Sequence, residues 1–146
     1  MDDEASALAR RCAAAMWATD QASQALDIEL GDVSPGRAVA RLRVGPAMVN
    51  GHAIAHGGYV FTLADTAFAF ACNTYGMVTV ARGADITFVA PAREGDLLEA
   101  VAVERHRSGR NGIYDVTVRR VEDDGPGGVV AEFRGHSREL STRLVD

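Results

Sequence analysis

Residues 59–72 read YVFTLADTAFAFAC, an almost wholly apolar run of helix formers broken by one carboxylate, Asp65, and led into by His56, Gly57 and Gly58. A helix with no polar face has to be covered all round, so the rest of the chain must supply an apolar surface able to wrap it. An ionised carboxylate in such surroundings is expensive unless donors or a cation compensate it, which makes Asp65 the first candidate for chemistry.

The flanking sequence supplies that surface as short extended segments. Residues 4–19 are helix formers with Leu8, Cys12, Ala15 and Met16 on one face, which predicts a peripheral helix within 1–22. Extended chain is expected near 25–30 and over 37–44, where Ala38, Ala40, Leu42 and Val44 alternate with Val39, Arg41 and Arg43. Ser34-Pro35-Gly36 supplies the turn between them. A loop over 45–58 leads into the central helix, expected over 56–75 with Gly76 placed to end it. Beyond it, 78–89, 96–105, 112–121 and 129–137 have β-branched or period-2 character, separated by turn residues. Gaps this short allow only antiparallel neighbours. The expected fold is α+β: one domain over 1–146, with a curved, mostly antiparallel six-stranded sheet wrapped around a long central helix.

Charge narrows the partners. A net charge of -5 argues against a nucleic-acid binder, which carries a basic face or stripe. All 15 basic residues are Arg, a bias that coding composition accounts for. The first residues lack the layout of a secretory leader and no apolar run is long enough to span a bilayer, so the expectation is a cytoplasmic protein without a membrane partner. Cys12 and Cys72 lack the spacing of redox or zinc sites and read as free thiols.

Gly57 and Gly58 stand at the helix N-terminus, where unpartnered N–H groups and the positive end of the dipole favour an anion or a developing oxyanion. The plainer reading of the pair is a tight turn with His56 as cap. Asp65 follows Gly57 by eight residues, about 12 Å along a helix, too far for one small carbonyl to touch both. If the two serve one reaction centre they come from different chains, so the chemistry predicts at least a homodimer. A lone carboxylate in apolar surroundings has a raised pKa and can act as nucleophile or as general base on water, with Asn50 as a donor or water-holder. His52 and His56 are four apart, but the glycines around them make this a loop, and no metal site is expected.

The residues Asn50-Gly51-His52, His56-Gly57-Gly58, Phe61-Thr62-Leu63-Ala64-Asp65-Thr66-Ala67-Phe68-Ala69 and Ala71-Cys72-Asn73 resemble the hotdog-fold acyl-CoA thioesterases of the phenylacetate pathway, the PaaI type. The likeness runs on through Ile86-Thr87-Phe88, Pro91, Gly95-Asp96, Tyr114-Asp115 and Phe133-Arg134-Gly135. It implies a hotdog fold, sheets paired in dimers, usually a homotetramer, and an acyl-CoA substrate with no further cofactor. Carried over residue by residue, it implies Asp65 as nucleophile or base, Gly57 N–H as polariser of the thioester carbonyl, Asn50 as helper of the water and His56 as an orienting group. Gly58, Phe61 and Phe68 would face substrate.

One departure stands out: many relatives carry Ser or Thr on the strand after the helix where this chain has Arg82. Period-2 counting puts Arg82 on the face of Val80, Ala84, Ile86 and Phe88, where it could pair with Asp65 or bind substrate; a bulge would turn it outward, the reading we favour because a buried Arg is costly. Arg105, Arg107, Arg110, Arg134 and Arg138 are candidates for coenzyme A phosphates. Tyr59, Phe61, Phe68 and Phe88 line either an aromatic acyl pocket, for phenylacetyl or hydroxyphenylacetyl, or ordinary core. The alternatives to a thioesterase are a hotdog hydratase or dehydratase, which needs a catalytic His, and a non-catalytic acyl-CoA-binding module.

Overall fold

The computed structural model describes residues 3–146. The chain runs α1 (Asp3–Trp17), α2 (Gln21–Ala25), β1 (Glu29–Ser34), β2 (Arg37–Arg43), a 3-10 turn (Pro46–Met48), α3 (Gly57–Cys72), β3 (Met77–Phe88), β4 (Leu97–Ser108), β5 (Asn111–Glu122) and β6 (Gly125–Arg143). The six strands form one sheet in the order β1-β2-β4-β5-β6-β3, every neighbour antiparallel. This is the hotdog architecture expected: the sheet curls and α3 lies in its hollow against β2, β4 and β5.

The alternation seen in the sequence decides which face holds the helix. Ala38, Ala40 and Leu42 of β2, Leu98, Ala100 and Ala102 of β4, and Tyr114, Val116 and Val118 of β5 are all buried. The alanines on β2 and β4 keep that wall thin, so α3 can settle close to the strands. Leu63, Phe68 and Phe70 of α3 are at most 1% exposed, each worth roughly 1.5–3 kcal/mol on burial. Phe68 also explains Gly135 on β6: a Cβ there would sit 2.7 Å from the Phe68 ring.

Several boundaries differ from expectation. The segment near 25–30 is only partly extended: α2 occupies its start, capped by Asp20, whose Oδ1 accepts from the Ser23 amide at 3.0 Å. Ser23 Oγ in turn hydrogen-bonds Thr66 Oγ1 of α3 at 2.9 Å, so this short helix is held by tertiary contact more than by propensity. At the other side, α1 lies on β1 and sends Trp17 onto Phe70, ring centres 6.1 Å apart. Residues 1 and 2 of the expected peripheral segment 1–22 lie outside the described residues.

The central helix ends at Cys72, three residues before Tyr75, because Asn73 stops it. The Asn73 carboxamide donates to Ala69 O (2.9 Å) and Thr79 O (2.8 Å) and accepts from Thr79 N (2.8 Å). It therefore clasps the last turn of α3 to the first residues of β3. Gly76 does adopt a left-handed φ of 96°, but in the loop beyond the helix. β6 is also far longer than 129–137, reaching Arg143.

One expectation fails informatively. α3 is not fully covered on every side: along one helical stripe Gly58 is exposed and Thr62, Asp65 and Ala69 are only partly buried. Beside this stripe runs β3, an edge strand whose outer side has no strand neighbour among the described residues. Val80 (42% exposed), Phe88 (53%) and Val89 (56%) lie along or just past it.

Candidate active site

The loop before α3 is shaped by Asn50. Its Oδ1 accepts from the amides of His52 (2.9 Å) and Ile54 (3.4 Å), a turn in which Ala53 takes a φ of 62°. The Ala55 amide then bonds Ala92 O (2.7 Å) and the His56 amide bonds Met48 O (2.8 Å), which pins the loop to the strands on either side. Asn50 Nδ2 has no partner among the described residues and is left free beside the cavity that Asn50 helps to line.

Held in this way, His56 is the N-cap of α3. Its Nδ1 accepts from the Gly58 amide at 2.9 Å, so its ring proton belongs on Nε2. This corrects the expectation for Gly58: its N–H is already committed to His56 and is not offered to a ligand. Gly57 N–H, in contrast, has no acceptor among the described residues and sits at the first helical position, at the positive end of the dipole.

Gly57 and Asn50 share a cavity of about 480 Å³, otherwise walled by apolar residues such as Val60, Phe88, Pro91 and Val130. Phe88 lies directly on Gly57: a Cβ at position 57 would meet three of its ring carbons at 2.8–3.3 Å. Ile54, Val60 and Val130 were not foreseen as lining. Nothing in their local pattern marks them, since they converge only when the loop, helix and β6 meet.

Asp65 is two turns further along α3 on the open stripe. Its carboxylate is half-buried, has no hydrogen bond or ion pair among the described residues, and burial raises its pKa above the ordinary carboxylate value. It does not line the Gly57 cavity. Within one chain the two groups therefore stay about 12 Å apart.

Phe61 is half-buried with its ring against Phe133, centres 5.4 Å apart. Phe68 is a correction: at 1% exposure, locked between Tyr114, Phe133 and the bare Cα of Gly135, it is core and has no surface to give a substrate. Arg82 takes the outward alternative. The β3–β6 register shifts between Ala81 and Gly83, leaving Arg82 as the extra residue of a bulge, exposed, with Nη1 donating to Asn111 Oδ1 at 2.9 Å. It therefore makes no pair with Asp65 of its own chain.

Among the other arginines, Arg134 grips Asp115 with two bonds (2.7 and 2.9 Å) and Arg105 approaches the same carboxylate at 3.4 Å. Those bonds hold the Asp115 pKa below its usual value. Arg107 lies 3.6 Å over the Tyr75 ring, and Arg138 reaches Asn111 at 3.4 Å. Both thiols are buried; burial pushes Cys72 up to about 12, which leaves it inert as a nucleophile at neutral pH.

Residues 52–126 match the family described as the thioesterase superfamily. The chain belongs to that superfamily. Over 131 residues it is 40% identical to the acyl-coenzyme A thioesterase PaaI of Escherichia coli K12, covering 90% of this chain and 91% of that one. The solved structure of the E. coli PaaI protein from the phenylacetic acid degradation operon superposes with a TM-score of 0.89 at 38% identity, over 94% of this chain and 97% of that one. The TT0310 protein of Thermus thermophilus follows with a TM-score of 0.77 at 36% identity, over 83% and 98%. As a member of this superfamily the chain is a thioester hydrolase, and its site has to supply what thioester hydrolysis requires: a carbonyl polariser and a group that delivers the nucleophile.

Proposed function

We propose that this thioesterase hydrolyses a small aromatic acyl-CoA, of the phenylacetyl or hydroxyphenylacetyl class, to the free acid and CoA, at sites shared between two copies of the chain. The acyl class follows from the likeness to PaaI; the observation that carries the shared site is the separation on α3, where a free N–H donor at Gly57 and an unpartnered, half-buried carboxylate at Asp65 lie about 12 Å apart on one helix. Neither is complete alone. Pairing of two β3 edges about a two-fold axis sets two α3 helices antiparallel, with Gly57 of each facing Asp65 of the other. A homotetramer is then a pair of such dimers.

In that arrangement the thioester carbonyl oxygen accepts from Gly57 N–H, which stabilises the charge that develops there as the carbonyl becomes tetrahedral. The partner's Asp65 either takes a proton from an attacking water held near Asn50 or attacks the carbonyl itself, giving a mixed anhydride that water then opens. Collapse expels the CoA thiolate, which leaves with a proton. Single-turnover hydrolysis in 18O-water tests the covalent route: unlabelled first product means its oxygen came from Asp65, through an anhydride opened at the Asp65 carbonyl, whereas label in the first product means water reached the acyl carbon, by direct attack or by opening the anhydride on that side. His56 Nδ1 is occupied by Gly58, which favours an orienting role over the catalytic His that a hydratase needs.

Complementation tests the shared site. Gly57→Pro and Asp65→Asn are each expected to be nearly inactive. When the two are refolded together, mixed dimers contain one intact site, so about a quarter of wild-type activity returns on statistical pairing. If both groups act within one chain, no activity returns. Thiol release from a panel of short, long and aromatic acyl-CoAs tests the acyl class.

A further inference from the structure

Phe88 stands at an odd place for a phenylalanine. It ends β3 on the same parity as Ala84 and Ile86 and pairs with Ala131, so its side chain belongs to the face that holds α3, yet it is 53% exposed. α3 begins at Gly57 and has no side chain there to cover the ring. The ring instead lies flat enough on Gly57 that any Cβ at that position would come within 2.8–3.3 Å of three of its carbons. Phe88 is thus beside the free N–H, and it is the one aromatic residue in the lining of the 480 Å³ cavity.

The wall that carries it is fixed. Val89 N–H (2.8 Å) and Ala90 N–H (3.2 Å) both bond Val130 O, and Ala92 O takes the Ala55 amide at 2.7 Å. The rest of the lining is aliphatic side chains, alanines and Pro91; Asn50 and the Gly57 backbone supply its polarity.

We propose that Phe88 is a specificity-determining residue: its ring is the face against which the acyl group lies, and it selects flat, aromatic acyl groups over flexible aliphatic chains of the same carbon count. The proposal rests on the acyl-CoA reading above and adds to it which residue reads the acyl group. An aliphatic chain gains apolar burial from this cavity as readily as an aryl group does. Only an aryl group also gains offset or edge-to-face contact with a ring, a difference of about two- to twelvefold in binding. That contact is made equally in ground and transition states, so it falls on KM.

The test compares phenylacetyl-CoA with octanoyl-CoA, both eight-carbon acyl groups, in wild type, Phe88→Leu and Phe88→Tyr, with kcat and KM measured separately. Phe88→Leu is expected to lower the phenylacetyl-to-octanoyl ratio of kcat/KM by about two- to twelvefold, mostly through KM, while Phe88→Tyr, which keeps the ring, holds the ratio. An unchanged ratio in Phe88→Leu, or equal losses on both substrates, overturns the proposal and leaves the ring as a cover for Gly57. A change in oligomeric state with the ratio intact also overturns it, placing the ring in a subunit interface. A folded wild type that releases thiol from neither ester sinks the acyl-CoA reading itself, a result distinct from those three.

Discussion

Replacing Gly57 by proline removes one atom of interest, the amide hydrogen, and very little else. Position 57 is the first residue of α3, where proline is favoured because its missing N–H would be unpartnered in any case. His56 has φ -60° and ψ 132°, within the extended region required of a residue before proline. The added ring carbons meet Phe88, whose Cζ lies 2.8 Å from an ideal Cβ; that ring is 53% exposed and swings away at small cost. Stability is therefore expected to change by less than about 1 kcal/mol, roughly 3–4 °C in Tm for a domain of this size. Loss of one donor to a developing oxyanion costs about 2.7–4 kcal/mol, a fall of about 10²–10³ in kcat. Gly57→Ala is the control, since it adds the same Cβ and keeps the N–H. Thiol release from an acyl-CoA, alongside thermal unfolding at fixed protein concentration, reads both quantities. If proline and alanine reduce kcat equally, the N–H is not the polariser and only the displaced ring matters. If proline unfolds the protein, the amide has an acceptor and the reasoning fails at its first step.

Asp65→Asn should lower kcat by at least about 10²-fold while leaving KM within about tenfold; equal loss of both points to a structural or binding role. The same variant should alter the pH dependence of stability. The folded pKa of Asp65 is raised by burial, so its contribution favours the folded state at acid pH and is lost as pH rises from the ordinary carboxylate value through the raised one. Asp115, whose pKa is lowered, works in the opposite sense in both proteins, so the test is the difference: the urea-unfolding free energy of wild type minus that of Asp65→Asn should fall from acid to neutral pH, and parallel curves would refute it. His56→Ala removes the helix cap and should cost about 1 kcal/mol in urea unfolding, most of it recovered in His56→Asn. Gly135→Ala places a Cβ 2.7 Å from a ring that is 1% exposed and cannot yield, so it should cost about 1–3 kcal/mol, in contrast to Gly57→Ala. Asn73→Ala strips Thr79 of partners for both backbone groups and should cost about 2–4 kcal/mol, with amide exchange at Thr79 accelerated first.

How far the fold could be read from the chain depended on whether a feature is periodic. The alternation over 37–44 and the apolar run of α3 are local signals; the first placed its buried face correctly, and the second located the helix but not the partly open stripe along it. The separation of Gly57 from Asp65 was legible for the same reason, because helix rise is fixed by covalent geometry and hydrogen bonding alone. The end of α3 was not, because Asn73 stops it by binding a strand that has yet to form. Nor was α2, five residues held by Asp20 and by Ser23 on Thr66. Phe68 misled because its burial depends on Gly135, which is distant in the chain and adjacent only after β6 folds back. For Arg82, parity counting gives the wrong face once one extra residue enters the strand; Gly83 beside it was the available hint.

That extra residue has a further consequence for assembly. A uniform strand edge can dock against a copy of itself in several registers, each displaced by two residues, or about 6.6–6.8 Å, and all of them similar in hydrogen bonding. In the two-copy site proposed above, only one of those settings brings Asp65 opposite the other chain's Gly57. The Arg82 bulge, together with the shift between Met77 and Thr79, breaks the uniformity of the strand and so acts as notches in a ruler, making the settings unequal. Because Asn73 ties the ruler to the helix that carries the carboxylate, an alignment chosen on the strand in that proposed pairing would be delivered to the carboxylate without slack.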